Sequence, residues 1–261
     1  MLISFNHIFV GIGNSGVRIV DKINIDSAVR VTINPAYYLA SHKAVEYINR
    51  IESFFSSIPK NTMLWLIFED KPINLEIANL ITSNTPEDVI KLAYTLTPEK
   101  ELVEENKPKW AGNFETVFYD SLWEFMSREK TVNLAFEYAT HQIGSMFSKL
   151  YYYLENEMLV NIDYADLFNM IRGNNVGILR MLNTVDFNWH WGIWERGLIS
   201  ILVGKEVPLK HAYHILSHFQ EILSEKDIIW GVRVANGLEK EIEILALLTK
   251  RWSDESSIIR H

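Results

Sequence analysis

The sequence contains no cysteine, and this absence removes several kinds of chemistry from consideration. Disulfide staples, thiolate metal sites and cysteine nucleophiles are all excluded. A chain of 261 residues is nevertheless long enough to bury a hydrophobic core without staples. Its composition, 48% hydrophobic and 22% charged, is typical of a globular protein rather than a disordered one.

Long apolar runs and an excess of positive charge are also missing. No apolar run approaches the roughly 20 residues that a membrane-spanning helix needs, and the N-terminus lacks the features of a signal peptide. We therefore expect a soluble, cytoplasmic protein with no transmembrane segment. The formal net charge of −8 argues against nucleic acid as a partner, because neutralising phosphates requires a basic face.

Apolar strands alternate with amphipathic helices along the first half of the chain. Strands are predicted at residues 3–10, 28–33, 63–68 and 89–96, and helices at residues 17–23, 38–55 and 73–81. This alternation predicts an α/β domain with a parallel sheet. Within the helix at 38–55, the spacing predicts that Leu39, Val45, Ile48, Ile51 and Phe55 face inward. Residues 116–125 fit a strand or a helix equally well.

A long helix and a smaller unit are predicted to follow. Residues 134–157 carry apolar side chains at spacings of three and four, which is typical of a helix between two packed layers. The predicted elements beyond it are a short helix ending at Arg172, strands at 176–182, 198–203, 228–234 and 242–248, and a helix starting at Pro208. Asn236-Gly237 predicts that the last two strands form a hairpin.

The first chemical candidate is the glycine-rich turn after the first strand. Gly11, Gly13 and Gly16 form a G-x-G-x-x-G pattern, and the helix N-terminus after such a turn can bind phosphate through its backbone N–H groups. Glycines at these positions equally allow a helix to pack tightly on a strand, so both interpretations stand. A nicotinamide dehydrogenase would place an acidic residue after the second strand, where this chain has Asn34.

The second candidate is the polar segment after the long helix. Asn161, Asp163 and Asp166 lie within six positions, and two neighbouring carboxylates can hold a water molecule or a cation. The alternative is helix capping, in which Asp163 caps the next helix and Asp166 interacts favourably with its dipole.

The order of these features resembles the tubulin/FtsZ family. Residues 11–23, GIGNSGVRIVDKI, are similar to the family's first nucleotide loop, and residues 158–166, MLVNIDYAD, resemble its LINVDFAD segment. Phe136 lies where the family's central helix starts with Ala-Phe, and residues 228–234 and 241–249 match its final strands. The resemblance covers nearly the whole chain, and the Asn-x-Asp-x-x-Asp segment is its most specific part.

The resemblance implies a three-part architecture. A Rossmann-like parallel-sheet domain with a nucleotide site would span residues 1–132, a central helix residues 133–160, and a smaller α+β C-terminal domain residues 161–261. Subunits of the family stack head to tail, and the loop after the central helix enters the next subunit's GTP site. Asn161, Asp163 and Asp166 would therefore be catalytic in trans.

The resemblance also implies a set of nucleotide-binding residues. They are Gly11, Gly13, Asn14, Ser15, Gly16, Asn34 and Phe136, with Phe136 stacking on the base. The implied cofactor is GTP or GDP, with Mg²⁺ only where a nucleotide binds, and no other metal is expected.

Two departures from the family pattern weaken this expectation. Residues 69–74, EDKPIN, stand where the family has a glycine-rich phosphate loop. This segment has no glycine, Pro72 removes a donor, and Glu69 and Asp70 repel a triphosphate, which Lys71 offsets only in part. His141 stands where the family places the Asp that reads guanine, and a neutral imidazole cannot supply both acceptors of a carboxylate.

These features predict a divergent tubulin/FtsZ-like cytoskeletal protein with a degenerate phosphate loop. It would meet a filament-forming partner, or itself, through residues 161–166. One alternative is an active GTPase that polymerises, with its site completed between subunits. Another is a pure interaction module in which the loop only caps a helix. The sequence does not decide whether the chain is an enzyme.

Three further features lie outside the motifs of the resemblance. The Trp-rich segment at residues 187–194 is either a partner-binding patch or core filling. His211, His214 and His218 recur at helical spacing, which suits a metal site or a solvated helix face; without an acidic or sulfur ligand nearby, we expect the solvated face. The charge run at residues 99–109 is expected to be a solvated surface.

Overall fold

A computed structural model describes residues 5–40, 42–97, 107–126, 131–156, 162–183, 194–235, 238 and 241–252. The chain divides into two compact units. The first lies within Met1–Ser145 and the second is formed by Met146–Trp252. We call them the N-terminal and C-terminal units.

The N-terminal unit is built on a parallel sheet. Its strands are β1 (Asn6–Ile12), β2 (Ala28–Ile33), β3 (Thr62–Glu69), β4 (Ile90–Thr97) and β5 (Thr116–Ser121). They lie in the order β2-β1-β3-β4-β5, and every neighbouring pair is parallel. β3 and β4 are buried along almost their whole length, as expected for central parallel strands covered on both faces. The predicted parallel α/β sheet is confirmed.

Along the chain, each strand of this unit is followed by at least one helix. They are α1 (Gly13–Val20), α2 (Pro35–Leu39), α3 (Ala44–Ser56), α4 (Pro72–Asn84), a 3₁₀ helix (Lys109–Asn113) and α5 (Leu122–Phe125). Pro35 and Pro72 open α2 and α4, where the absent N–H has no helical partner to lose. Residues 116–125, which fitted a strand or a helix equally well, contain both: β5 is followed directly by α5.

The single helix predicted over residues 38–55 is wrong. α2 ends at Leu39, Ala40 has an extended backbone, and α3 begins at Ala44. Leu39 and Val45 are 67% and 70% exposed rather than inward, whereas Ile51 and Phe55 are buried as predicted. The Asn34 side chain accepts a hydrogen bond from the Ala36 N–H (2.9 Å) and caps α2, which therefore starts before residue 38. That short helix ends before the apolar stripe of α3 begins.

The predicted central helix is α6, which runs over 24 residues from Val132 to Glu155. Its buried side chains recur at spacings of three and four, as predicted: Ala139, Ile143, Met146, Phe147, Leu150 and Leu154. The division between the two units falls within this helix.

The C-terminal unit holds a mixed sheet. Its elements are α7 (Tyr164–Ile171), β6 (Asn175–Leu182), β7 (Trp194–Gly204), α8 (Leu209–Ile222), β8 (Leu223–Ala235) and β9 (Ile242–Arg251). The strand order is β6-β9-β7-β8, with β7 and β8 parallel and β9 antiparallel to both of its neighbours. α8 packs on this sheet through Ala212, Ile215 and Phe219, which join a core containing Ile199 and Leu248.

The predicted hairpin of the last two strands is wrong. β7 lies between β8 and β9, so these strands do not pair with each other. α8 is a crossover that sets β8 parallel to β7 on its outer side, while β9 enters between β6 and β7. The apolar run Ile244–Leu248 is fully buried there, which explains why it occupies a central position. Asn236 and Gly237, on which the prediction rested, lie outside the described residues.

Glycine allows α1 to lie directly on the sheet. A Cβ added at Gly11 would stand 2.4 Å from the Gly16 carbonyl oxygen, and one added at Gly16 would stand 2.1 Å from that of Ile67. Real Cβ atoms do not approach backbone oxygens so closely. Gly11 and Gly16 therefore hold α1 against β1 and β3, in agreement with the packing interpretation of these glycines.

Gly16→Ala is expected to lower the free energy of unfolding by about 1–3 kcal/mol, because helix and sheet must separate to admit a methyl group. Gly112→Ala is the matched control, since a Cβ there meets no heavy atom within 4 Å. Urea denaturation of both variants checks this. Equal midpoints for the two would contradict the packing role.

Candidate functional site

The carboxyl ends of β1, β2 and β3 meet where the chain order of the sheet reverses about β1. Open α/β sheets bind ligands at such a point. A cavity of about 480 Å³ opens there, which we call the inner cavity. It is lined by Gly13, Asn14, Val17, Thr32, Asn34, Tyr37 and Tyr47. Three of the predicted nucleotide-binding residues, Gly13, Asn14 and Asn34, thus lie together, and none of the described lining side chains is charged.

Gly13 opens α1 in a backbone conformation that suits glycine. Its φ is +75°, in the left-handed region. A Cβ on Gly13 would also stand 3.1 Å from the side-chain amide of Asn74, which is buried. Asn74 in turn donates from Nδ2 to the carbonyl oxygen of Glu69 at 3.0 Å. The glycine turn therefore packs against the Asn74 side chain, which is hydrogen-bonded to the end of β3.

Ser15 and Glu69 meet at the first turn of α1. Ser15 is fully buried, and its hydroxyl donates a hydrogen bond to Oε1 of Glu69. The ammonium of Lys71 pairs with the other carboxylate oxygen. A carboxylate beside the N-terminus of a helix is stabilised by the helix dipole. The chain's own anion thus lies beside the helix N-terminus at which the glycine-turn pattern predicted phosphate binding.

The neighbouring acidic residue, Asp70, adds to the negative charge of this segment. Its backbone N–H donates to the carbonyl oxygen of Leu96 at 2.9 Å, which fixes the segment after β3. Partial removal from water raises the pKa of the Asp70 carboxyl above its ordinary value. The segment predicted to replace the family's phosphate loop therefore carries two carboxyl groups, of which Glu69 is held by Ser15 and Lys71.

Phe136 is covered by a cation. The guanidinium carbon of Arg18 lies 5.2 Å from the centre of the Phe136 ring, a cation–π distance. Nε of Arg18 also donates to Oδ1 of Asn14 at 3.3 Å, so it connects α6 to the rim of the inner cavity. Sequence reasoning missed Arg18, although its position four residues after Asn14 on one helix was a usable signal.

Tyr37 and Tyr47 are also missed by the sequence patterns. Their ring centres lie 5.8 Å apart with planes at 55°. The hydroxyl of Tyr47 accepts a hydrogen bond from the backbone N–H of Asn34 at 3.2 Å, and burial raises its pKa. The two rings meet only because the chain bends between α2 and α3, which the apolar spacing did not reveal.

The polar loop after α6 forms a capping box. Oδ1 of Asp163 accepts from the N–H groups of Ala165 (2.8 Å) and Asp166 (3.0 Å), and the Asp163 N–H donates to Oδ2 of Asp166 at 2.9 Å. The capping interpretation is confirmed. Asn161 lies outside the described residues, and the role in trans of all three residues stays a prediction.

A tyrosine fixes this capped helix to the end of α6. The hydroxyl of Tyr164 donates to Oε1 of Glu155 at 2.9 Å. Burial and the adjacent carboxylate raise the pKa of that hydroxyl, so it stays a donor at neutral pH. Asp163 directly precedes Tyr164. Its side chain is exposed, and its backbone N–H is held by the capping box.

Other candidates contribute little to a site. Within the described ranges, no group of three or more His, Asp or Glu side chains is arranged to hold a metal ion; His211 and His214 are exposed on α8. In the same part of the chain, no helix is long and apolar enough to cross a membrane. Residues 187–193 of the Trp-rich segment and 99–106 of the charge run are outside the described residues.

Asp163→Ala is expected to destabilise the chain by about 1 kcal/mol, because the first N–H groups of α7 lose their acceptor. Asp163→Asn keeps an acceptor oxygen and is expected to lose only a few tenths of that amount. Chemical denaturation of both variants is the measurement. A loss for asparagine as large as for alanine would assign the stabilisation to charge instead of capping.

Comparison with known proteins gives distant relatives in sequence. No protein-family model matches the chain. Cell division protein FtsZ 2 of Thermococcus kodakarensis is 23% identical over 135 residues, which are 45% of this chain and 33% of that protein. The match thus spans about a third of the relative's length.

Solved structures resemble nearly the whole chain. The empty FtsZ dimer of M. jannaschii superposes with a TM-score of 0.69 at 14% identity, covering 95% of this chain and 88% of that one. The GTPγS-bound protofilament of CetZ2 from Haloferax volcanii gives a TM-score of 0.64 at 10% identity and covers 95% of each chain. The predicted fold is confirmed: this chain has the tubulin/FtsZ superfamily fold, and its relatives there are distant.

Proposed function

We propose that this chain is a divergent tubulin/FtsZ-like cytoskeletal protein whose own nucleotide site is degenerate. It acts on a filament-forming partner, or on a second copy of itself, through the loop at residues 161–166. The observation that carries the proposal is the carboxylate of Glu69, which lies at Ser15 on the first turn of α1.

A triphosphate at this helix N-terminus would meet the Glu69 carboxylate at close range. Two unit negative charges about 4 Å apart near a protein surface repel by about 4 kcal/mol, which lowers affinity by roughly three powers of ten. Lys71 offsets part of this repulsion because it pairs with the same carboxylate. The donor that would serve a phosphate, the Ser15 hydroxyl, is already engaged.

The residues that would contact the base of a nucleotide also suit it poorly. Arg18 lies over the ring of Phe136, on which a base would stack. His141 is exposed on α6 and offers a single acceptor nitrogen when neutral, so it cannot read guanine as a carboxylate does. The residues present therefore do not suit GTP and its Mg²⁺.

The loop after α6 remains suited to contact another molecule. Asp163 is exposed, the capping box fixes its backbone, and Tyr164 anchors it to Glu155. A carboxylate on a rigid element is better placed for a partner's site than one on a mobile loop. Related folds are an FtsZ dimer and a CetZ2 protofilament, which supports association with a like subunit.

The alternative is an active nucleotide hydrolase that polymerises. The inner cavity favours it, because a space of about 480 Å³ lined by Gly13, Asn14 and Asn34 has the size of a small-molecule site. Light scattering of the isolated chain with and without GTP distinguishes the two. An increase with GTP indicates nucleotide-driven assembly, and no increase is expected of a subunit that assembles only with a partner.

Calorimetric titration with GTP is expected to give no binding tighter than about 10 μM, which corresponds to about 7 kcal/mol. Glu69→Gln removes the like charge, keeps an acceptor for Ser15, and is expected to raise GTP affinity about tenfold. The exposed Glu124→Gln is the control. Micromolar or tighter binding to the unaltered chain that Glu69→Gln does not improve would favour the hydrolase instead.

Mixed with a GTP-binding FtsZ, the chain is expected to change that protein's polymerisation or its rate of GTP hydrolysis. Asp163→Asn keeps the helix cap but removes the charge, so it is expected to abolish most of the effect. Asp227→Asn, exposed on β8, is the control and should leave the effect intact. If the unaltered chain changes neither polymerisation nor hydrolysis, the proposed action on such a partner is wrong.

A further inference from the structure

We infer a second ligand site beside the glycine turn, formed by Tyr37, Lys43, Tyr47 and Arg50, which takes an aromatic molecule with one phosphate or carboxylate group. The inference rests on the proposed loss of phosphate binding at the glycine turn. In this second site the anionic group of the ligand binds near Lys43 and Arg50, on the side of the two tyrosines away from Gly13.

Two adjoining cavities define the site. An outer cavity of about 300 Å³ is lined by Tyr37, Lys43, Glu46, Tyr47 and Arg50. It shares Tyr37 and Tyr47 with the inner cavity of about 480 Å³. A small molecule that contacts both tyrosines can therefore extend into either space, and volumes of this order suit small-molecule ligands.

The tyrosine pair provides an aromatic surface. Tyr47 is fixed because its hydroxyl accepts the N–H of Asn34 at 3.2 Å. Tyr37 is 53% exposed, although large aromatic side chains usually bury more of their surface. With ring centres 5.8 Å apart and planes tilted by 55°, the pair forms an open corner into which a third ring fits.

Charge gives the ligand its direction. Among the described residues, the cations Lys43 and Arg50 and the carboxylate Glu46 line the outer cavity, and their charges sum to one net positive charge. Glu46 pairs with Arg50, so Lys43 carries that charge. The described side chains that line the inner cavity are all uncharged, and the Glu69 carboxylate lies beyond it at Ser15. An anionic group is therefore stable in the outer cavity and unstable toward the glycine turn.

The inner cavity suits an uncharged polar ring. Asn14, Thr32 and Asn34 line it, and their side chains both donate and accept hydrogen bonds. A ligand such as a nucleoside monophosphate would place its ring at the tyrosines and this polar wall, with its phosphate at Lys43 and Arg50. This direction is opposite to that of a nucleotide whose phosphates face Gly13.

The test compares AMP and GMP with adenosine and guanosine, titrated against the full chain by calorimetry. The monophosphates are expected to bind more tightly than the nucleosides. Lys43→Glu combined with Arg50→Glu is expected to weaken the monophosphates about tenfold and leave the nucleosides unchanged. Tyr37→Ala should weaken both kinds of ligand. Lys205→Glu with Lys210→Glu, exposed on the C-terminal unit, is the matched charge control.

The outcomes separate this inference from the proposed function. Absence of saturable binding by all four probes overturns the second site and leaves the degenerate nucleotide site standing. Monophosphate binding that Ser15→Ala weakens, and that the Lys43 and Arg50 reversals do not, places the anion at the glycine turn and overturns both. Every substituted cation is exposed, and thermal unfolding confirms that each variant is folded before it is titrated.

Discussion

Where Gly11 faces Gly16, the first helix lies so close to the sheet that no side chain would fit, and the candidate site depends on this constraint. Gly11 and Gly16 permit backbone contact with each other and with Ile67. The register pairs Ile12 with Phe68, so Gly13, the first residue of α1, follows β1 at the level where Glu69 ends β3. Ser15 is drawn down with α1 and meets the Glu69 carboxylate. The helix N-terminus that the glycine pattern assigns to phosphate binding therefore lies beside a carboxylate of the chain itself, that of Glu69.

The strands could be predicted because burial in a parallel sheet leaves a simple mark. β3 is apolar throughout, and its predicted range differs from the observed one by a single residue at each end. The break between α2 and α3 could not be predicted from apolar spacing, which does not mark the extended backbone at Ala40. The pairing of β9 also escaped prediction, because strand order depends on the α8 crossover and on competition among equally apolar strands for central positions.

The candidate site divides along the same line. Gly13, Asn14 and Asn34 are predicted from a local turn pattern, and they line one cavity. Arg18, Tyr37 and Tyr47 gain their importance from contacts between elements, which a turn pattern does not encode. The sequence did predict that Glu69 opposes a triphosphate. It did not predict that Ser15, counted among the phosphate ligands, is its hydrogen-bond donor.

Capping and action on a partner are compatible roles for Asp163, although they first stood as alternatives. Both backbone hydrogen bonds of the cap go to Oδ1. Across the described part of the chain, no hydrogen bond engages Oδ2, so one oxygen of an exposed carboxylate stays available to another molecule. The cap also orders the backbone that carries this oxygen, which lowers the entropy lost when a partner binds. Under the proposed function, a helix cap of this kind is therefore also a means of presenting the carboxylate to a partner.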